Sequence, residues 1–405
     1  MTAGPISHNP IRNAFDEPRA VIAALLVGTW GNFIFMSGPF LVGSLVDTAG
    51  YTEQHAGWIF AADMSGLAVG SILTYFLVNR VDRRYLAAAG LAVLIASNLL
   101  ATTFHDLGVL FAIRIPAGLG SGILYSVSIA NLSGTHRTAR NFSILLFLIL
   151  LAGSVEALLL PELSAKFGVN GIFLFFVAAG VVALPFVRWL CPFAVERSLV
   201  AAAEAKDNAP GPPPLPRSLP LLYLSSIVVY TILIGAVWTY IERAGISAGI
   251  EQATVARILA IANLCGVFGA LAAPRLSRRW GQGKMLLASL FCVAMVFAVI
   301  GIRLGLPTYF GGLVVFNVLW VMVNVYQMGT LAIIDHTGRY GTLVPAAQDI
   351  AVSVGSPIAG AMLAVGAGYP AVMFFAAACS LLAMLVFLPA YVRLRRLAPA
   401  VADAP

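Results

Sequence analysis

Residues 107–130 read LGVLFAIRIPAGLGSGILYSVSIA, a stretch with one charged residue, Arg114. A helix rises ~1.5 Å per residue, so this stretch spans the ~30 Å hydrocarbon core of a bilayer. Comparable stretches lie at 20–42, 56–78, 85–104, 142–164, 170–190, 219–241, 253–274, 285–304, 307–331, 342–366 and 370–391. Together they predict twelve membrane spans, numbered here in chain order. Of the 405 residues, 60% are hydrophobic and 10% charged, and mean hydropathy is +0.92. No soluble fold of this size hides so much apolar surface, so the solvent for most of the chain is lipid. The few charges inside the spans then become the informative residues.

An even number of spans puts both termini on one side, and the basic residues say which. Assigning the N-terminus inside places 19 Lys and Arg in inner segments, against Lys166, Arg243, Arg257 and Arg303 outside; Arg114 lies within a span. That bias predicts a multi-pass protein of the inner (cytoplasmic) membrane with both termini in the cytoplasm. The net charge of +7 is then topology signal and calls for no nucleic acid. The first apolar stretch is too long for a signal-peptide core and no small-residue cleavage site follows it, so no cleavable leader is expected. Cys191, Cys265, Cys292 and Cys379 form no CxxC pair and read as small hydrophobes. With neither nucleophile–base spacing nor a nucleotide-binding loop, the chain reads as no enzyme, and no cofactor or metal is expected.

The longest break, 191–218, contains VERSLVAAAEAK (195–206) and then PGPPPLP (210–216), too rich in proline for a helix. It divides the chain into a first unit, 1–190, a cytoplasmic linker, 191–218, and a second unit, 219–405. The units look related. Tyr125, His136, Arg140, Gly153 and Phe175 recur as Tyr326, His336, Arg339, Gly355 and Phe374, at offsets of 201, 200, 199, 202 and 199. A nearly constant offset of half the chain marks a duplicated six-helix bundle, with a substrate site expected between the copies.

Local motifs add a resemblance. Residues 110–122, LFAIRIPAGLGSG, resemble the span-four pattern L-x-x-x-R-x-x-x-G-x-G of the major facilitator superfamily. The loop after span two, LVNRVDRR (77–84), is similar to that family's G-x-L-x-D-R-x-G-R-R: Arg80, Arg83 and Arg84 match, while Asn79 replaces the acid and Asp82 the glycine. The second-half copy, LSRRWGQGK (276–284), keeps Arg279 and Gly281, with Arg278 where the acid belongs. The glycine motif of drug/proton antiporters is absent from span five, where AGSVE (152–156) stands. The resemblance implies an all-α integral membrane fold of two pseudo-symmetric six-helix bundles, working by alternating access.

It also implies that spans one, four, seven and ten line a central cavity, and helical spacing agrees. Gly28, Asn32, Phe35 and Pro39 share a face of span one; Arg114, Gly118, Ser121, Tyr125 and Ser128 share one of span four. Thr231, Gly235, Trp238 and Glu242 do so in span seven, and Asn317, Trp320, Asn324 and Gln327 in span ten. Amides and charges facing hydrocarbon are costly, so these stripes face protein or water. Asn32, Arg114, Ser121, Tyr125, Thr231, Trp238, Asn317, Trp320, Asn324 and Gln327 are the expected substrate-binding residues, against the plainer reading of interhelical hydrogen bonds.

Asp63, Arg114 and Glu156 all fall seven or eight residues from the outer end of their spans, roughly 10–12 Å deep. Two carboxylates beside one guanidinium would leave one free to titrate, so Glu156 and Asp63 are the expected proton-coupling pair. Asp349, with Asn79, Arg80 and Arg83, is the gate latch that the resemblance implies. Arg243 reads as solvated. The resulting expectation is a monomeric secondary active transporter in the lipid bilayer, coupling protons to a small organic anion or amphipathic metabolite. The alternatives are proton-coupled efflux of hydrophobic compounds, or a transport-dead sensor or assembly factor built on the same fold.

Overall fold

The computed structural model describes residues 14–191, 218–334 and 344–397. Most of the 191–218 linker, both chain ends and the loop bearing His336 and Arg339 lie outside the described residues. Span one is broken into Pro18–Trp30, Phe33–Met36 and Gly38–Asp47. Spans two to six are Glu53–Leu77, Arg83–Ala101, Leu107–Ser133, Thr138–Phe167 and Val169–Val187. Spans seven to twelve are Ser218–Ser247, Gln252–Trp280, Gln282–Ile302, Leu306–Ile334, Val344–Ala364 and Gly368–Leu397. Eleven helices among the described residues are long and apolar enough to cross a membrane. Val344–Ala364 falls outside that set, its apolarity lowered by Gln348, Asp349 and small residues; the helix packs against spans two and seven.

Capping follows the sequence. The side chains of Thr52, Asp82 and Asp106 accept from His55 N at 3.1 Å, Arg84 N at 2.8 Å and Gly108 N at 3.0 Å, starting spans two, three and four. Helix ends bearing Arg80, Arg83, Arg84, Arg137, Arg188 and Arg278 define one face of the molecule, called the basic face below. The opposite face carries the turns around residues 50, 104, 249, 304 and 366. Gly50 and Gly249 supply positive φ there, +74° and +78°, at equivalent points of the two halves.

Within each half, glycines bring backbones together. A Cβ at Gly66, Gly118 or Gly122 would collide with the facing backbone of span four or span two. Gly235 and Gly355 do the same for spans seven and eleven. The first half packs span four on spans one, two and three; the second packs span ten on eight and nine, and span seven on eleven and twelve. The halves meet through spans two and eleven, five and eight, and one and seven. The first two pairings exchange under the internal two-fold.

Candidate functional site

Arg114 is fully buried, and its partners correct the expectation that it faces the cavity. Its Nε donates to Asp63 Oδ2 at 3.0 Å and lies 2.8 Å from Oδ1; its Nη1 donates to Asn98 Oδ1 at 2.7 Å. Phe173 and Phe176 cover the guanidinium at 5.2 and 6.0 Å from their ring centroids. These partners belong to spans two, three and six, all in the first half. Glu156 is not among them, so the expected cluster of two carboxylates on one arginine does not form. Asp63 is tied into an ion pair instead of standing free to carry a proton.

Much of the rest of the span-four stripe is also covered by the first half, while Tyr125 lies within electrostatic range of Asp349 of the second half. Gly31 of span one lies directly on the backbone at Ser121 and Tyr125. Ser128 Oγ donates to Ala24 O of span one at 2.6 Å. Ser121 is buried without a hydrogen-bond partner, and Tyr125 is half-buried. The Thr231 hydroxyl donates to Ile227 O, one turn back, at 2.8 Å, so it can offer only its lone pairs.

The other stripes meet between the halves. Phe35 stacks on Trp238 at 6.1 Å and meets Trp320 at a tilt, 6.4 Å between ring centroids. Together with Ile234, Phe316 and Asn317 they line a cavity where spans one, seven and ten converge. The break in span one builds part of it. Pro39 has no N–H to offer the carbonyl four residues back, and Trp238 Nε1 donates to that carbonyl, Phe35 O, at 2.9 Å. Asn317 Nδ2 donates to Leu313 O at 3.0 Å, leaving its Oδ1 without a partner. Asn32 Oδ1 and both ends of the Gln327 amide are likewise buried and unpartnered. On the basic-face side, Asn324 donates to Trp320 O at 2.9 Å and accepts from Gln348 Nε2 at 3.2 Å.

Three further acids lie within spans five, seven and eleven. Glu156 is 1% exposed, and neither carboxylate oxygen has a hydrogen-bond partner among the described residues. The preceding turn of span five sits on the other half: Ser154 Oγ donates to Ala260 O at 2.9 Å, and Gly153 faces Met36 and Asn263, whose Oδ1 is also unpartnered. Asp349 is half-buried, within electrostatic range of Tyr125, and its Oδ2 lacks a partner. The latch expected on the basic face is not engaged in this arrangement. Asp349 pairs with neither Arg80 nor Arg83; Asn79 and Arg80 are exposed, and Arg83 lies over Phe15, 5.3 Å from its ring centroid. Glu242, closer to the opposite face, accepts from Gln252 Nε2 at 3.2 Å and presses its second oxygen against Gly43 of span one.

That opposite face is sealed across the halves. Arg243 pairs with Asp47 and lies 3.5 Å from Glu53 Oε1, so it is a bridge between halves and not the solvated residue expected. Tyr369 also donates to Glu53, Tyr240 OH donates to Glu53 O at 2.9 Å, and Ser356 Oγ donates to Gly57 O at 3.0 Å. Toward the basic face, spans four and ten do not pack together over the described residues, and Tyr125, Ile129, Trp320 and Asn324 are half-exposed.

Asn98 and Asn263 escaped the reading of the sequence. Each is a lone amide inside an apolar span, which was the available signal.

Two helical halves enclosing a cavity, closed on one face, make a membrane transporter. The chain belongs to the Major Facilitator Superfamily, whose sequence pattern matches residues 23–356. Comparison with curated proteins finds no significant match. Among solved structures, the fold is similar to a point mutant of the nucleoside transporter NupG, with a TM-score of 0.72 at 11% identity over 92% of this chain and 99% of that one. It is also similar to tetrameric PepTSo2, with a TM-score of 0.68 at 13% identity over 95% of this chain and all of that one.

Proposed function

We propose that the protein is a proton-coupled secondary transporter of a small amphipathic metabolite, acting as a single chain in the cytoplasmic membrane with its basic face toward the cytoplasm. The observation that carries this reading is the buried Glu156, whose carboxylate has no hydrogen-bond partner among the described residues, one turn from where Gly153 and Ser154 join spans one, five and eight. A bare carboxylate out of water is costly, and a proton removes the charge. Spans five and eight come from opposite halves, so rocking one half against the other alters this surface and with it the hold on the proton.

The organic-anion expectation rested on Arg114, which Asp63 neutralises, so the substrate's charge is left to the groups between the halves. The Phe35–Trp238–Trp320 cluster equally favours efflux of hydrophobic compounds, the same chemistry run in one direction. In proteoliposomes, accumulation of a ligand found by thermal-shift screening should follow an imposed proton gradient. Glu156→Gln should abolish that accumulation and keep counterflow exchange at saturating ligand, because a permanently neutral side chain still cycles loaded. Gradient-driven accumulation by the Glu156→Gln protein would remove Glu156 as carrier. No saturable flux of any ligand would favour a sensor or assembly factor built on the fold.

A further inference from the structure

We infer that the central site takes an organic cation, an ammonium or amidinium group carried on an aromatic or aliphatic body. The inference rests on the transport reading above and gives it a substrate class.

Three independent features of the site agree. The first is charge. Arg114, the deep basic residue, is held by Asp63 and faces spans two, three and six. The other charged side chains deep in the described spans are the acids Glu156, Asp349 and Glu242. An anion entering the cavity therefore meets no uncommitted cation among the described residues, and it meets carboxylates that repel it.

The second feature is the polarity of the unpartnered atoms. Asn32 Oδ1, Asn263 Oδ1, Asn317 Oδ1, Asp349 Oδ2 and both Glu156 oxygens are buried without a hydrogen-bond partner among the described residues, and all are acceptors; the Gln327 amide adds one acceptor, Oε1, and one donor, Nε2. For Asn317 the orientation of the amide is fixed from outside: its nitrogen donates to Leu313 O, which can only accept, so the oxygen is the end left over. A carboxylate ligand would set acceptor against acceptor. An ammonium brings N–H donors and supplies what these atoms lack.

The third feature is the aromatic lining. A cation is drawn to the faces of tryptophan and phenylalanine, and Phe35, Trp238 and Trp320 cluster at the cavity. The only donor on the Trp238 side chain is already given to Phe35 O, so that residue offers the ligand its ring and no hydrogen bond. Glu156, which has no counter-charge among the described residues, is assigned as the acid that balances the bound cation, with Asp349 on the path from the basic face.

The test uses the purified full chain in detergent and the quenching of its tryptophan fluorescence by three probes of similar size: benzylammonium, benzyl alcohol and phenylacetate. The cation should bind at least tenfold more tightly than either of the others. Glu156→Gln should weaken cation binding at least tenfold and leave benzyl alcohol within twofold. Should that variant fail to fold, Asp349→Asn is expected to weaken the cation at least threefold under the same comparison. Phenylacetate binding as tightly as the cation overturns the inference. So does absence of quenching by the cation at millimolar concentration, or cation binding unchanged in both variants. Proteoliposome flux separates this inference from the one beneath it. Cation binding without any gradient-driven flux supports the site and removes the transport reading. Flux of phenylacetate without cation binding keeps transport and removes the site.

Discussion

Arg114 and Glu156 lie in the same half of the molecule, both buried and both charged by type, yet their surroundings are opposite. The arginine has a carboxylate on Nε, an amide on Nη1 and two phenyl rings around its plane. The glutamate has no hydrogen-bond partner among the described residues, although Asn263 and Met36 line the neighbouring turn. Burying an ion costs several kcal/mol unless a partner or a proton offsets it. The first group is held by an ion pair and an amide inside one half, with only Nη2 lacking a hydrogen bond among the described residues, so its pairing does not depend on how the halves are placed. The second is offset only by something that arrives, and it sits where the halves meet. Charge inside a membrane protein is thus structural or functional according to what has been left unsatisfied, not according to residue type.

The sharpest way to break that comparison is to remove the arginine. Arg114→Leu strands Asp63 and Asn98 and should destabilise the protein by about 3–5 kcal/mol, read as a lowered thermal midpoint and poor recovery in detergent. Replacing Asp63 by leucine as well should restore most of the loss, since two apolar groups leave no orphaned charge. If the single variant melts like the wild type, the knot is not structural and Arg114 returns to the list of transport residues.

Two glycines sharpen the contrast between packing within a half and packing between halves. A Cβ at Gly118 would strike the Asp63 backbone inside the first half, where nothing slides. A Cβ at Gly57 would strike the Tyr240 hydroxyl across the sealed face. Overpacking costs about 1–3 kcal/mol in either place. In Gly118→Ala it should appear as lost stability. In Gly57→Ala it should appear as a shift in conformation, because the halves can part to relieve it. Spin labels on cysteines replacing Thr103 and Arg303, exposed on the opposite face of each half, would report this in a background freed of the four native cysteines. The distance should lengthen for Gly57→Ala and stay fixed for Gly118→Ala. Lengthening in both would mean that the two glycines do not differ in kind.

A smaller effect is expected from Trp238→Phe. An aromatic ring remains and its stacking on Phe35 can persist, but Phe35 O loses its donor, and Pro39 cannot supply another. A buried acceptor left unpaired costs about 1–2 kcal/mol. The cost falls on the state in which spans one and seven touch, so the same pair of labels should show a minor population with the opposite face parted.

The twelve spans could be read directly because each is a local property: length and apolarity decide whether a helix crosses lipid, whatever surrounds it. All twelve helices fall within about two turns of the stretches read from hydropathy. The duplication could also be read, since Tyr125 and Tyr326 or Gly153 and Gly355 need only be counted. The site was legible in part. Trp238, Asn317 and Trp320 meet with Phe35, as stripes on spans seven, ten and one. On span four, spacing identifies a polar face but not its cover: spans one and two lie across the part that carries Gly118, Ser121 and Ser128, and Tyr125 is left half-buried near Asp349 of the second half. Equal depth likewise grouped Asp63, Arg114 and Glu156, yet depth is one coordinate, and the direction around the helix separated Glu156 from the other two.

The smallest change in stability, and the one that tests the comparison from its other side, is expected from Glu156→Gln. The substitution keeps the volume and removes the ionisable group. If the carboxylate has no partner in the folded protein, nothing is broken. The variant gains whatever the wild type pays to hold a charge or a proton there, and it loses no ion pair. Stability should therefore be unchanged or raised, by no more than about 1 kcal/mol, since the amide is still a buried polar group with few partners. The thermal midpoint of Glu156→Gln should sit at or slightly above that of the wild type, whereas Arg114→Leu sits well below it. A fall of the size expected for Arg114→Leu would show that Glu156 is anchored to a partner in the folded state. It would then belong with Arg114 among the groups that hold the bundle together, and the proton would need another seat.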